Sequence, residues 1–335
     1  MATFLITGCG GFVGSHLAEK LLQSGHNVVG LDLAYNDIWL KQSCSDKFTP
    51  IVGSILDSHV VNKLIENADI VVHLAAIASP QTYVDFPKRT IDINLNASIS
   101  IIEAMRFSGK PLFFASTSEV FGRNPKVPWD ETSDRVLGPT SVNRWCYSTS
   151  KAMIEHYLQA CAQEGSLHFS GVRIFNCYGP RLSGRVVDRF VKSVLHHQSL
   201  FIHGDGMQTR CFTYIDDLID AIYRLLCNAC TCNKFYNIGT SVESTINDLA
   251  STICSITGND FHNSVKYVPH AEAIGKSYED ISRRVPDCSL AKAELNWEAV
   301  TDLHAGLQRM IEYEQYAILS RTTSDFPQTS NETDE

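Results

Sequence analysis

The sequence predicts an α/β fold: a doubly wound parallel sheet with a smaller C-terminal lobe. Three observations predict it. Short apolar runs alternate with helical patterns through the first half of the chain. A glycine-rich turn joins the first apolar run to the first helical pattern. Beyond about residue 178 the alternation loosens. Strands that alternate with helices form parallel sheets, because each crossover lays a helix on one face.

The elements follow in order. "TFLITG", "NVVGLDL", "TPIVGSI", "DIVVHLAA" and "PLFFASTS" read as buried strands. Between them "SHLAEKLLQSG", "SHVVNKLIENA" and "INLNASISIIEAMRFSG" place apolar residues at helical spacing. A helix starting near Tyr147 precedes a further strand, "HFSGVRIFNCYG". Past residue 178, "GPRLSGRVVDRFVKSVLHHQ" reads as a loop entering a helix and "TINDLASTICSITG" as another helix. "DCSLAKAELNWE" opens on an Asp suited to cap a short helix. The expected division is 1–178 for a cofactor-binding domain, 179–318 for a partly intertwined substrate lobe, and 319–335 for a polar, disordered tail.

Composition narrows the function. Hydrophobic residues are 44% of the 335, which suits a buried core. A net charge of -9 argues against nucleic acid or an anionic membrane as the main partner. A few local arginines still suffice for a small anion. Eleven cysteines follow no disulfide framework. Met1 leads directly into "TFLITG", and no apolar run is long enough to cross a bilayer, so a reducing cytoplasm is expected. Cys227, Cys230 and Cys232 in "CNACTC" lack a second ligand pair, and no metal is expected.

"ITGCGGFVGSHLAEKLL" holds Gly8, Gly11 and Gly14 between a strand and a helix, with Phe12 and Val13 in the turn. Glycines there let backbone N–H groups approach a pyrophosphate at a helix N-terminus. Asp32 ends the second strand, where an acid accepts from the adenosine ribose hydroxyls. Leu33, Ala34 and Tyr35 follow it and supply no cation for a 2′-phosphate, so NAD is expected rather than NADP. Tyr147 and Lys151 in "YSTSK" stand one helical turn apart on one face. An ammonium and a nicotinamide cation nearby favour a tyrosinate able to act as a base. "ASTSEVFG" puts Thr117, Ser118 and Glu119 at the end of a buried strand. It reads either as a capped turn or as part of a catalytic group.

With these motifs the chain resembles the extended short-chain dehydrogenase/reductase family: the nucleotide-sugar epimerases, dehydratases and decarboxylases. The resemblance runs from about residue 3 to 315, on "TGCGGFVGSH", "HLAA", "STSEVFG", "YSTSK", "FNCYGPR", "GDGMQTRCFTYIDD" and "NIG". It implies a Rossmann-type NAD domain and a lobe that binds a nucleotide diphosphate sugar, in a homodimer. Thr117 is implied beside the catalytic pair. Asp57 is implied at the adenine, although Ser54 stands where an Asp is frequent. Ala75 and Ala76 are implied along the cofactor. Asn176, Arg185 and Arg210 are implied at the sugar nucleotide.

Simple 4-epimerases usually carry no acid at the position of Glu119. "TSE" is closer to decarboxylases and some guanosine-linked dehydratases. "NRWCYSTSK" and "GKSYEDISRRVPD" are similar to decarboxylase segments, the second supplying a catalytic arginine at Arg284. Uncharacterised bacterial relatives described as 4-epimerases share these stretches. The expected activity is decarboxylation of a UDP-sugar, UDP-glucuronate first, through transient oxidation at C4. Tyr147, Lys151, Thr117, Ser118, Glu119 and Arg284 are its expected catalytic residues. The alternatives are a UDP-sugar 4-epimerase, a 4,6-dehydratase and a non-catalytic NAD-sensing protein.

Overall fold

A computed structural model describes residues 1–36, 39–40, 45–227, 233–269, 281 and 283–324, with side chains as far as 320. Its strands are β1 (Thr3–Thr7), β2 (Asn27–Asp32), β3 (Phe48–Val52), β4 (Ile70–His73), β5 (Pro111–Thr117), β6 (His168–Ile174), β7 (Cys177–Tyr178), β8 (Leu200–His203), β9 (Thr209–Arg210), β10 (Thr213–Tyr214), β11 (Lys234–Ile238), β12 (Ser244–Thr245) and β13 (Val265–Val268). Seven of them form one sheet in the order β11-β6-β5-β4-β1-β2-β3. Every pairing in it is parallel.

Alternate residues of the central strands feed two separate cores. Phe4, Ile6, Val28, Val72, Phe113 and Val172 face one, and Leu5, Leu31, Val71, Leu112, Phe114 and Phe169 face the other. A period of two with apolar residues on both faces is what a sheet covered on each side requires. The first core extends through Val191, Leu218, Leu249 and Trp297, so the two lobes share one hydrophobic interior.

Three expectations need correction. β11, from "KFYNI" in the loosened half, pairs with β6 and forms the edge of the main sheet. Its partner strand lies on the other side of the division drawn at 178. The helix Leu303–Ser324 runs into the segment read as a tail, while 325–335 lie outside the described residues. The short helix Ser289–Leu295 has Cys288 at its cap position, although Asp287 Oδ1 still accepts from Ser289 N at 2.8 Å. Cys230 and Cys232 also lie outside the described residues. No described helix is long and apolar enough to cross a membrane.

Strand order reverses between β1 and β4, and a crevice opens there at the carboxyl ends of the strands.

Candidate active site

A cleft of about 870 Å³ occupies this crevice. Gly8, Gly11, Phe12, Val13, Gly14, Asp32, Ala75, Ala76, Thr117, Ser118, Glu119, Tyr147, Lys151, Asn176, Arg185, Arg210 and Arg284 all line it. Asp57 does not line it. Its Oδ1 accepts from His59 N at 3.1 Å and Val60 N at 3.2 Å, capping the helix Ser58–Glu66. The adjoining cleft wall is Ser54, Ile55 and Leu56 instead.

The first end of the cleft is a backbone cradle. Gly8 has φ +76°, and a Cβ there would sit 2.7 Å from Ala75 N. A Cβ on Gly14 would sit 2.1 Å from Gly8 O, so the turn and the helix close only without side chains. Gly11 is different: a Cβ would meet only Gly8 O, at 3.2 Å, and would otherwise enter the cleft. The backbone is thus left bare where a phosphate would approach the helix Phe12–Gln23. Asp32 accepts from Gly10 N at 2.9 Å through one oxygen and from Leu33 N at 2.6 Å through the other. Its carboxylate is thereby fixed at the strand end. The loop Ala75–Ala78 is held by Asn94, whose amide accepts from Ile77 N at 2.7 Å and donates to Ile77 O at 2.8 Å. Asn94 sits in a π-helical turn, Asp92–Ala97, that turns its side chain back to this loop. These features fit a dinucleotide.

The other end is built on β5 and the helix Trp145–Gln163. Thr117 ends β5, and its Oγ1 accepts from Glu119 N at 3.2 Å. The capped turn is therefore present, and its residues also line the cleft. The cap starts a 3-10 turn, Ser118–Phe121, that buries the Glu119 side chain. Arg284 Nη1 donates to Glu119 Oε1 at 3.2 Å, and Arg144 Nη2 stands 3.8 Å from the same oxygen. Tyr83 OH lies 3.4 Å from Oε2. Burial pushes the Glu119 carboxyl up, but Arg284, Arg144 and Arg185 outweigh it and hold the pKa below its usual value.

Tyr147 stacks on Tyr83, with ring centroids 5.1 Å apart, and hydrogen-bonds Thr117. Burial raises the Tyr147 pKa to about 12, with the Glu119 charge adding and Arg185 and Arg284 opposing. Lys151 donates to Ala115 O at 2.8 Å and lies 4.5 Å from the Phe114 ring centroid. Burial lowers the Lys151 pKa to about 7 against the pull of Glu155. Glu119, Arg185 and Arg284 are the charges facing the phenol, with Lys151 one helical turn away on the same helix. Among the described residues Arg284 Nε and Asn176 Nδ2 are buried without a hydrogen-bond partner, and both residues line the cleft. Tyr83, Arg144 and Asn94 were not singled out from the sequence. Only Arg144 had a signal, in "NRWCYSTSK".

The family model for the NAD dependent epimerase/dehydratase family matches residues 4–239. The chain belongs to that family. Like the family, it is an NAD-dependent enzyme of nucleotide-sugar chemistry. It is 34% identical over 92% of its length to a UDP-N-acetyl-alpha-D-glucosaminuronate decarboxylase of Bacillus cytotoxicus, covering 96% of that protein. It is 32% identical to UDP-glucuronic acid decarboxylase 1 of Danio rerio, over 92% of this chain and 72% of that one. The UDP-glucuronic acid 4-epimerase of Bacillus cereus, solved with UDP-glucuronic acid and NAD, superposes with TM-score 0.83 at 25% identity, over 94% of this chain and 99% of that one. The family match ends just past β11, so the late strand belongs to the family's common core.

Proposed function

We propose that the chain decarboxylates a UDP-linked uronate, UDP-glucuronate first, after transient oxidation at C4. The observation that carries this is Glu119: a buried carboxylate, contacted by Arg284 and Arg144, beside Tyr147. A site that only moved a hydride at one carbon would not need an acid and two guanidinium groups next to the phenol. The two relatives above are uronate decarboxylases by name.

The glycine turn and Asp32 would hold NAD, which would supply a hydride acceptor for C4. Tyr147 takes the O4 proton, and Thr117 orients the phenol through their hydrogen bond. Lys151 serves the nicotinamide ribose. Oxidation at C4 leaves the carboxylate β to a ketone, so carbon dioxide departs as the C–C electrons flow into the carbonyl. Arg284 grips the carboxylate beforehand, and Glu119 with Ser118 manages the proton that replaces it at C5. Asn176, Arg185 and Arg210 hold the sugar nucleotide. The part to about 178 holds the cofactor and the catalytic pair, and most of the remainder holds the sugar nucleotide. Exposed Phe86, Ile91 and Met153 are consistent with a homodimer, which sizing in solution tests.

Incubating the protein with UDP-glucuronate and with UDP-N-acetylglucosaminuronate, then reading product masses, tests the reaction. Loss of carbon dioxide is expected. The second reading, 4-epimerisation, is favoured by the Bacillus cereus neighbour. Interconverted uronates of unchanged mass would establish it and overturn decarboxylation.

A further inference from the structure

The two ends of the cleft are tied together at a point away from Tyr147 and Glu119. After β7 the chain lines the cleft as a loop from Gly179 to Arg185. Arg181 has φ +68°, between Gly179 at +151° and Gly184 at +74°. Glycine adopts such angles freely, whereas an arginine is strained there and stays only where its surroundings hold it.

What holds it is the helix that opens at the glycine turn. Arg181 places Nη1 and Nη2 on the two oxygens of Glu19, both at 2.8 Å. This is the planar fork-to-carboxylate geometry that only arginine makes. One residue earlier, Pro180 O lies 2.9 Å from His16 Nε2. A carbonyl only accepts, so the ring donates from that nitrogen. His16 and Glu19 stand one turn apart on the same helix face. Burial and the Arg181 charge lower the His16 pKa to about 4, which leaves the ring neutral and Glu19 to Arg181.

The same loop then delivers Arg185. Gly184 N donates to Asp188 Oδ2 at 2.8 Å, and Arg185 Nη2 donates to Ala78 O at 2.6 Å. The Arg185 charge bears on both Glu119 and Tyr147. Thus one continuous run links the dinucleotide helix, the fork, the strained residue and a cation at the reacting groups.

We propose that Glu19 and Arg181 are positioning residues: their fork pins the 179–185 loop to the dinucleotide helix and so sets Arg185 at the reaction centre. This rests on Tyr147 and Glu119 being that centre, and it holds whether or not carbon dioxide leaves. A plain inter-lobe ion pair would stabilise the protein and leave turnover per folded molecule unchanged.

The test uses the full chain carrying Glu19→Gln, Arg181→Lys, Arg185→Ala, and Glu19→Gln with Arg185→Ala. Backbone hydrogen exchange over 179–188 is read first, then kcat and KM with UDP-glucuronate. Glu19→Gln is expected to speed exchange in that loop and to lower kcat about 10- to 100-fold, with KM rising no further than in Arg185→Ala, as for a displaced catalytic environment. Arg181→Lys should do the same to a smaller degree. The double variant should be no slower than Arg185→Ala alone, because both changes remove one function. Additive losses would overturn the proposal, as would unchanged loop exchange or a lower melting temperature with intact kcat. If the native protein turns over no UDP-uronate, the proposed reaction fails. The exchange measurement then still decides whether the fork holds the loop.

Discussion

Two glutamates are buried beside arginines in this fold, and they are not alike. Glu155 is closed on every side. Arg173 approaches both its oxygens, Nη2 at 2.7 Å from Oε2 and Nε at 3.1 Å from Oε1, and Ser116 adds a hydroxyl. Glu119 has one guanidinium bond at 3.2 Å, a second arginine at 3.8 Å and a phenol at 3.4 Å. Both carboxylates escape the cost of burial through positive charge. Only the second keeps that charge in loose, long contacts facing a cleft. A closed carboxylate holds strands together; a loosely held one can change partners when substrate arrives.

The largest effect expected is on the group Glu119 serves. Tyr147→Phe should lower turnover roughly 100- to 10,000-fold while sugar-nucleotide binding, read by calorimetry, stays close to native. Full turnover in that variant would remove the centre around which the two glutamates are contrasted.

Next comes the contrast itself. Glu119→Gln keeps size and cannot relay a proton, so carbon dioxide release per folded molecule should fall about 100-fold or more, beside a loss of stability from the arginines it leaves unpaired. Glu155→Gln should differ: loss of one partner of a buried pair costs about 3–5 kcal/mol, with turnover per folded molecule falling far less than in Glu119→Gln. Parallel thermal melts and rate measurements decide it. Equal effects of the two changes on activity would dissolve the distinction.

A third expectation concerns acid. Because the folded-state pKa of Glu119 lies below its usual value, ionised Glu119 adds stability above the ordinary carboxylate range. That contribution fades as pH falls through the folded pKa. Glu119→Gln should therefore cost more stability at neutral pH than in acid. A constant difference across denaturant titrations from neutral to acid pH would show that the arginines do not hold the charge.

The smallest effect sharpens the role of Glu155. Its charge supports the Lys151 ammonium, whose pKa burial lowers to about 7. Glu155→Gln should move that titration lower still, measured by NMR on labelled lysine in the folded NAD-free protein.

Much of this was legible in the sequence, for identifiable reasons. The glycine turn, Asp32 and the Tyr147–Lys151 spacing depend on local geometry, so a short stretch of chain specifies them. Asp57 shows the ambiguity of an acid after a strand, which serves an adenine or a helix cap equally well: its Oδ1 caps the helix Ser58–Glu66, and the side chain does not line the cleft. Tyr83 reaches Tyr147 across a separation that only packing creates. β11 was missed because "KFYNI" stands alone, without the repeating rhythm that identified its neighbours. The π-helical turn at Asn94 has no periodic signature of its own.

That late strand bears on how the protein is made. On a ribosome the first six strands of the sheet emerge well before residues 234–238, and until then β6 presents an open edge of unpaired amides. β5, its other neighbour, already shields one side. The nascent chain must therefore guard that edge through the synthesis of some sixty further residues, at roughly 5–20 residues per second. Chaperone capture is expected to concentrate in this interval, and a stalled chain ending before β11 should be far more prone to edge-to-edge aggregation than one ending after it.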